Sequence, residues 1–352
     1  MQPCPVCGQE NSFVSEALGA CAHCLRADPN LLDGIQRFRA KARREWGLPE
    51  YPPRTPGGAI CPLCANACQM GEGETGYCGL RTVRNGWLTH LAGTARGGLL
   101  HYYFDPLPTN CVADPLCAGH SRFGCVNLAV FYGACTFDCF YCQNWHFRQM
   151  SVRDRQLSAR QLADEATQRT ACVCYFGGDP SAQMPHALAT SRRLAARGLH
   201  VCWETNGSMH PALLDRAIQL SLETGGCIKF DLKAWDRNLH RALTGADNAR
   251  TLENFARAAR RMGERPDPPL VVASTLLVSG YVDAGEVGAI ARYIAGFDSR
   301  IPYVLLAFAP NYLMGDLPCT PSRQALAAEE AARDAGLCFV RIGNRHLLDA
   351  GL

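Results

Sequence analysis

The chain lacks any apolar run near the roughly 18 residues that a membrane-crossing helix requires. It also lacks any run of five or six like charges, and its net charge is only +3. Neither a nucleic-acid-binding face nor a membrane-surface patch is therefore expected. No charged-then-apolar leader opens the sequence, so a cytoplasmic protein is expected. Internal repeats and low-complexity tracts are absent too. What remains is an ordinary globular composition, 352 residues with 47% hydrophobic and 19% charged, long enough for one large domain and one or two small ones.

Cysteine is what the chain has in excess, with twenty. In a reducing compartment that number does not build a disulfide framework, and Cys-x2-Cys pairings suit metals. Cys4-x2-Cys7 and Cys21-x2-Cys24 are two paired knuckles, so residues 1–30 are expected to be a small zinc-ribbon-like Cys4 module. Residues 31–60 are expected to be a helix, Leu31 to Trp46 with basic residues on one side, then a linker from Tyr51-Pro52-Pro53 through Pro56-Gly57-Gly58. Residues 61–120 form a Cys-rich segment. Its Cys61-x2-Cys64-x3-Cys68-x9-Cys78 could hold zinc or a second iron–sulfur cluster, and spacing leaves both open. Cys111, Cys117 and Cys125 follow.

Residues 121–345 alternate strand with helix. Apolar strands are expected at Asn127–Phe131, Cys172–Phe176, His200–Glu204, Ile228–Leu232, Val271–Val278, Tyr303–Phe308 and Cys338–Ile342. Between them, Ser158-x-x-Gln161 opens a helix with a capping box, Pro211 begins another, and Asp283-x-x-Glu286 caps a third. At least six βα units in series argue an α/β fold with a parallel sheet covered by helices.

Directly after the first of these strands stands Cys135-x3-Cys139-x2-Cys142. Three thiolates within eight residues can hold three irons of a [4Fe–4S] cube and leave the fourth free for a small molecule. A structural zinc site would want four close ligands. The second strand ends in Phe176-Gly177-Gly178-Asp179-Pro180, whose glycines let a ligand approach the backbone. In Ile228-Lys229-Phe230-Asp231-Leu232-Lys233 the strand period puts Lys229, Asp231 and Lys233 on one face, and Glu204 and Asn206 share a face likewise. A charged, ion-paired barrel interior follows.

The Cys-x3-Cys-x2-Cys loop followed by Gln143-Asn144-Trp145 resembles the cluster loop of the radical S-adenosylmethionine (radical SAM) enzymes. More narrowly it resembles the pyruvate formate-lyase-activating-enzyme branch, and within it the AmmeMemoRadiSam-system radical SAM proteins, over roughly Cys61 to Arg345. The resemblance implies a partial (β/α)6 barrel, preceded here by the Cys-rich N-terminal region. It implies a [4Fe–4S] cluster on Cys135, Cys139 and Cys142 and S-adenosylmethionine (SAM) chelated to it. SAM would be cleaved reductively to methionine and a 5′-deoxyadenosyl radical. That radical would take hydrogen from a protein, a peptide (a glycyl position included) or a small molecule, with no protein acid–base residue required. Asn144 would lie near SAM. Gly177, Gly178 and Asp179, matching a Gly-Gly-Glu-Pro segment, would hold its methionine amine. Glu204, Thr205, Asp231 and Lys233 would contact its ribose and methionine parts, and Leu276 belongs to the matching fifth-strand segment. Ser274 and Ala309 depart from the Arg and His often found at these points. A flavodoxin or ferredoxin would be the reductant. Two other readings stay open: a radical SAM methyltransferase or peptide modifier with auxiliary clusters, and a multi-zinc binding or adaptor protein.

Overall fold

The computed structural model describes residues 3–10, 13–109 and 111–349. Two small antiparallel hairpins come first, β1 (Ala59–Ile60) with β2 (Gln69–Met70) and β3 (Arg81–Arg84) with β4 (Trp87–His90). The main sheet has eight strands: β5 (Leu100–Pro106), β6 (Val126–Tyr132), β7 (Thr170–Gly177), β8 (His200–Thr205), β9 (Ile228–Asp231), β10 (Val271–Leu277), β11 (Tyr303–Ala307) and β12 (Val340–Gly343). Strands β6 to β12 run parallel, and β5 lies antiparallel against β6.

The spatial order is the chain order, β5 to β12 without reversal, and the two end strands are not paired with each other. Sequential right-handed βα units curl such a sheet into a barrel. Here the barrel stays open between β5 and β12. All seven expected apolar runs form strands, because a parallel sheet covered by helices buries both faces and favours continuous Val, Ile and Leu. Strand β5 was not expected. It is an edge strand, half exposed and ending in Asp105-Pro106, with no buried run to betray it.

The helices start where the caps stand. Ser158 and Gln161 form the capping box of α3 (Ala159–Asp164), after α1 (Ala22–Ala27) and α2 (Leu31–Glu45). α4 (Met184–Ala195) precedes α5 (Pro211–Thr224), which ends at Gly225 in the left-handed region. α6 (Arg237–Thr244) and α7 (Ala249–Ala259) follow, and Asp283 accepts from the Glu286 amide to open α8 (Ala284–Ala295). α9 (Ser322–Asp334) closes the series.

The N-terminal segment packs into the same apolar core as the barrel. Leu18, Leu25, Leu32 and Ile35 share it with Phe140, Leu239 and Tyr281. The Ser15 amide donates to Tyr281 Oη at 2.9 Å, and Arg26 pairs with Asp283 at 3.1 Å. Helix α2 does not simply present its basic residues to water. Arg39 and Arg43, one turn apart, are fully buried and aimed at the loop after β6.

Candidate functional site

The loop leaving β6 carries Cys135, Cys139 and Cys142 to the carboxyl ends of the parallel strands, where open α/β sheets and barrels build their sites. Strand β7 ends beside it at Gly177 and Gly178. Gly177 has φ +99°, and a Cβ on Gly178 would stand 2.2 Å from the Ala134 carbonyl oxygen. Only glycines allow this close approach of the second strand end to the cysteine loop.

These elements line one open cavity of about 230 Å³. The three loop cysteines line it, with Asn144, Gly177, Gly178 and Asp179 on one side and Glu204, Asp231, Lys233 and Leu276 on the other. Asn144 also donates to the Gly177 carbonyl at 3.4 Å, tying loop to strand end. Thr205 is the exception. It lies on the opposite face of β8, fully buried, and its hydroxyl donates to Asp179 Oδ1 at 3.1 Å. The strand period that sends Glu204 and Asn206 inward sends Thr205 away.

Electrostatics in the cavity favour bound cations next to sulfur. Burial pushes the Cys135 thiol well up and the Cys139 thiol up to about 12, the latter opposed by Lys233. Buried thiols of this kind ionise when a metal takes the place of the proton. Across from them, Lys229 Nζ reaches Glu204 Oε2 at 2.9 Å and Asp231 Oδ1 at 2.7 Å, and Lys233 Nζ reaches Asp231 Oδ2 at 2.8 Å. Burial opposes the charge of Asp231, but Lys229 and Lys233 outweigh it and hold the carboxyl well below the usual range. Asp179 is the contrary case. Burial raises it to about 6 against bonds donated by the Asn206 and Ser181 amides.

Residues 129–293 match the model of the Radical SAM superfamily. Residues 129–293 are thus a radical SAM domain, and its similarities run to the pyruvate formate-lyase-activating enzymes. An uncharacterized protein of Methanocaldococcus jannaschii is 25% identical over 291 residues, 81% of this chain and 80% of that one. The isethionate sulfite-lyase activating enzyme of Oleidesulfovibrio alaskensis is 34% identical over 142 residues, 39% of this chain and 41% of its own length. The pyruvate formate-lyase 1-activating enzyme of Escherichia coli K12 is 26% identical over 134 residues, 36% of this chain and 54% of its own. The chain thus spans about half, or less, of these two activating enzymes.

The cavity of this radical SAM domain fits the cofactors of its family by the chemistry of its donor set. Three sulfurs face the space from one side, and across it a row of alternating charges stands ready for an amino-acid carboxylate and amine. Among the described residues no helix is long and apolar enough to cross a membrane.

The N-terminal cysteines form a different kind of site. Cys4 Sγ stands 4.0 Å from Cys24 Sγ and Cys7 Sγ 3.9 Å from Cys21 Sγ, with all four sulfurs within 4.8 Å of one another. Tetrahedral zinc with bonds of about 2.3 Å puts its sulfurs about 3.8 Å apart. Cys61, Cys64, Cys68 and Cys78 are not drawn together so closely. Cys61 and Cys68 pack with Met70, Tyr77 and Val83, and the segment docks on the loop after β8, where the Ala65 amide donates to the Ser208 carbonyl at 2.8 Å.

Sequence reasoning missed Asp138, inside the cluster loop. This carboxylate is fully buried among three guanidiniums: Arg148, bonded to Oδ1 through Nε at 3.1 Å; Arg43, 3.6 Å away; and Arg39, 4.0 Å away. Arg39 also donates to the Asp138 carbonyl at 3.2 Å and to the Ala242 carbonyl at 2.6 Å. The four-residue spacing of Arg39 and Arg43 was the signal available, and it reads equally well as a solvated basic face.

Proposed function

We propose that this chain cleaves SAM reductively at a [4Fe–4S] cluster held by Cys135, Cys139 and Cys142, and that the radical so released takes hydrogen from a protein or peptide substrate. The single observation that carries the reading is the convergence of the three loop thiols, the Gly177-Gly178 strand end and the Glu204–Lys229–Asp231–Lys233 row on one cavity. When bound, the cluster supplies the electron and an open iron for the SAM amine and carboxylate.

The chain's own residues bind, orient and exclude water. The backbone at Gly177 and Gly178 leaves room for the methionine part beside the cluster loop. Asp179 is held in place by Ser181, Thr205 and Asn206 to meet the amine. Glu204 and Asp231 offer carboxylates to hydroxyls, and Lys233 offers charge to the carboxylate side. Asn144 borders the same space, and Leu276 adds an apolar wall. The Ser274 hydroxyl donates to Asp231 Oδ1 at 2.8 Å, orienting it where related enzymes often carry an Arg. The named relatives are activating enzymes, so a backbone glycine of a partner protein is the preferred hydrogen donor and a flavodoxin or ferredoxin the reductant. Zinc is proposed for Cys4, Cys7, Cys21 and Cys24, whose sulfurs already stand at tetrahedral spacing.

A second reading, a peptide modifier or methyltransferase with auxiliary clusters, rests on Cys61, Cys64, Cys68 and Cys78, which are not among the cysteines whose sulfurs all lie within 4.8 Å as a single tetrahedral ion needs. The deciding experiment measures 5′-deoxyadenosine after anaerobic reconstitution with iron and sulfide and reduction by dithionite. Native protein is expected to release it and Cys139→Ala none. A zinc-loaded, colourless protein without product would leave only a binding module.

A further inference from the structure

The cluster loop is backed by positive charge that the protein's own carboxylates do not neutralise. The side chains of Arg39, Arg43 and Arg148 are all fully buried, and among the described residues Asp138 is the one carboxylate within 4.0 Å of any of them. Three guanidiniums against one carboxylate leave two positive charges in excess. Their remaining bonds go largely to neutral carbonyls: Arg39 donates to Ala242 at 2.6 Å, and Arg43 to Tyr77 at 2.6 Å and to Pro49 at 2.7 Å. Carbonyl dipoles solvate a guanidinium without cancelling its charge. Aromatic rings cover the rest. The Arg43 guanidinium lies 3.5 Å from the centre of the Tyr77 ring, Arg39 4.0 Å from that of Phe140 and Arg148 4.5 Å from that of Tyr312.

This excess stands against the cysteines. Arg39 brackets Cys139, donating to the Asp138 carbonyl at 3.2 Å on one side and covering the Phe140 ring on the other. Arg148 lines the same cavity as Cys142. Each of these cations favours the ionised form of the sulfur beside it. A packing role alone does not call for such a surplus. One arginine and one carboxylate would pin α2 to the loop as a neutral pair, whereas each further buried cation costs free energy unless an anion stands by. Three thiolates on a [4Fe–4S] cube supply that anion. Their charge exceeds that of an oxidised cube by about one unit and that of a one-electron-reduced cube by about two. In surroundings of low dielectric, a fixed positive excess favours the form with the more negative charge.

We propose that Arg39, Arg43 and Arg148 are the built-in counter-charge of the reduced cluster and that, with Asp138 setting the size of the excess, they hold its reduction potential up. The proposal rests on the reading of Cys135, Cys139 and Cys142 as cluster ligands. The test is a redox titration of the anaerobically reconstituted full chain without SAM, followed by electron paramagnetic resonance of the signal that Cys139→Ala lacks. Arg148→Met removes a cation and is expected to lower the midpoint potential. Asp138→Asn removes the anion and is expected to raise it. The double variant Arg148→Met/Asp138→Asn carries the native excess and is expected to return close to the native value, as is Arg148→Lys, which keeps the charge. Arg43→Met, on α2 and outside the loop, is expected to lower the potential as Arg148→Met does. Loosened packing would move Arg148→Met and Asp138→Asn in the same direction, because both break the same buried pair. Shifts of one sign in these two variants, or no shift in either, overturn the proposal. A native chain without any Cys139-dependent signal overturns it together with the reading of the loop.

Discussion

The N-terminal cysteines and the cluster-loop cysteines are both metal-ligand sets, yet they are built on opposite plans. Cys4, Cys7, Cys21 and Cys24 stand within 4.8 Å of one another, so the four sulfurs converge on one point, and the Cys21 amide donates to Cys4 Sγ at 3.3 Å. Nothing but one small ion fits among them. Cys135, Cys139 and Cys142 are three, not four, and they line an open cavity of about 230 Å³. Lys233 and Arg148 stand near enough to favour their ionised form. The lesson is that ligand number and the room left beyond the ligands separate a closed structural site from an open reactive one.

The sharpest way to break this comparison is to remove one sulfur from each set. Cys139→Ala deprives the open site of one of only three protein ligands. It is expected to reduce 5′-deoxyadenosine release to background while the zinc content stays unchanged. Cys24→Ala is expected to do the reverse: zinc is lost and the iron of the cluster loop stays. Because the N-terminal segment shares the barrel's core, losing its ion is expected to lower the thermal midpoint by on the order of 10 °C, several kcal/mol at about 2–4 °C each. A zinc count unaffected by Cys24→Ala would end the tetrahedral reading.

The open site was more legible in sequence than its supports were. Spacing alone named Cys135, Cys139 and Cys142, and strand alternation put Lys229, Asp231 and Lys233 on one face, because both signals are local. Thr205 was expected to contact SAM by resemblance, and the alternation that turns Glu204 inward turns its hydroxyl toward Asp179. Arg39 and Arg43 were read as one side of a basic helix. Their burial depends on a carboxylate about a hundred residues away in the chain, and no local pattern reports that. A small cavity lined by thiols was hidden for the same reason: Cys172 and Cys174 on β7, Cys202 on β8 and Cys227 just before β9 are brought together only by the sheet register.

Those long-range supports give the next prediction. Asp138 is the one carboxylate among Arg39, Arg43 and Arg148, all four side chains fully buried. Asp138→Asn keeps the shape and removes the charge, leaving three guanidiniums in low dielectric with no anion. Breaking a buried pair this way costs about 3–5 kcal/mol. Urea unfolding is expected to show that loss, and the cluster loop, which α2 pins through these arginines, is expected to lose iron more readily to a chelator. A stability change under about 1 kcal/mol would mean that the arginines are held by their carbonyl acceptors alone.

The smallest predicted effect separates two carboxylates in the same cavity along the pH axis. Burial raises Asp179 to about 6, above its unfolded value of about 3.9. Between about pH 4 and pH 6 the folded state therefore keeps a proton that the unfolded state has lost, so stability falls as pH rises through that window. About two pKa units correspond to about 3 kcal/mol for the whole window. Asp231 behaves oppositely. Burial is outweighed by Lys229 and Lys233, its folded pKa is depressed, and its contribution is present above about pH 4 and lost only as pH falls further. Asp179→Asn, which stays neutral, is expected to flatten the slope between pH 4.5 and pH 6.5 in urea melts of the metal-free protein, whereas Asp231→Asn leaves that slope intact. If the slope survives Asp179→Asn, the bonds from Ser181, Thr205 and Asn206 already hold the carboxylate ionised, and Asp179 meets the SAM amine as a fixed negative charge.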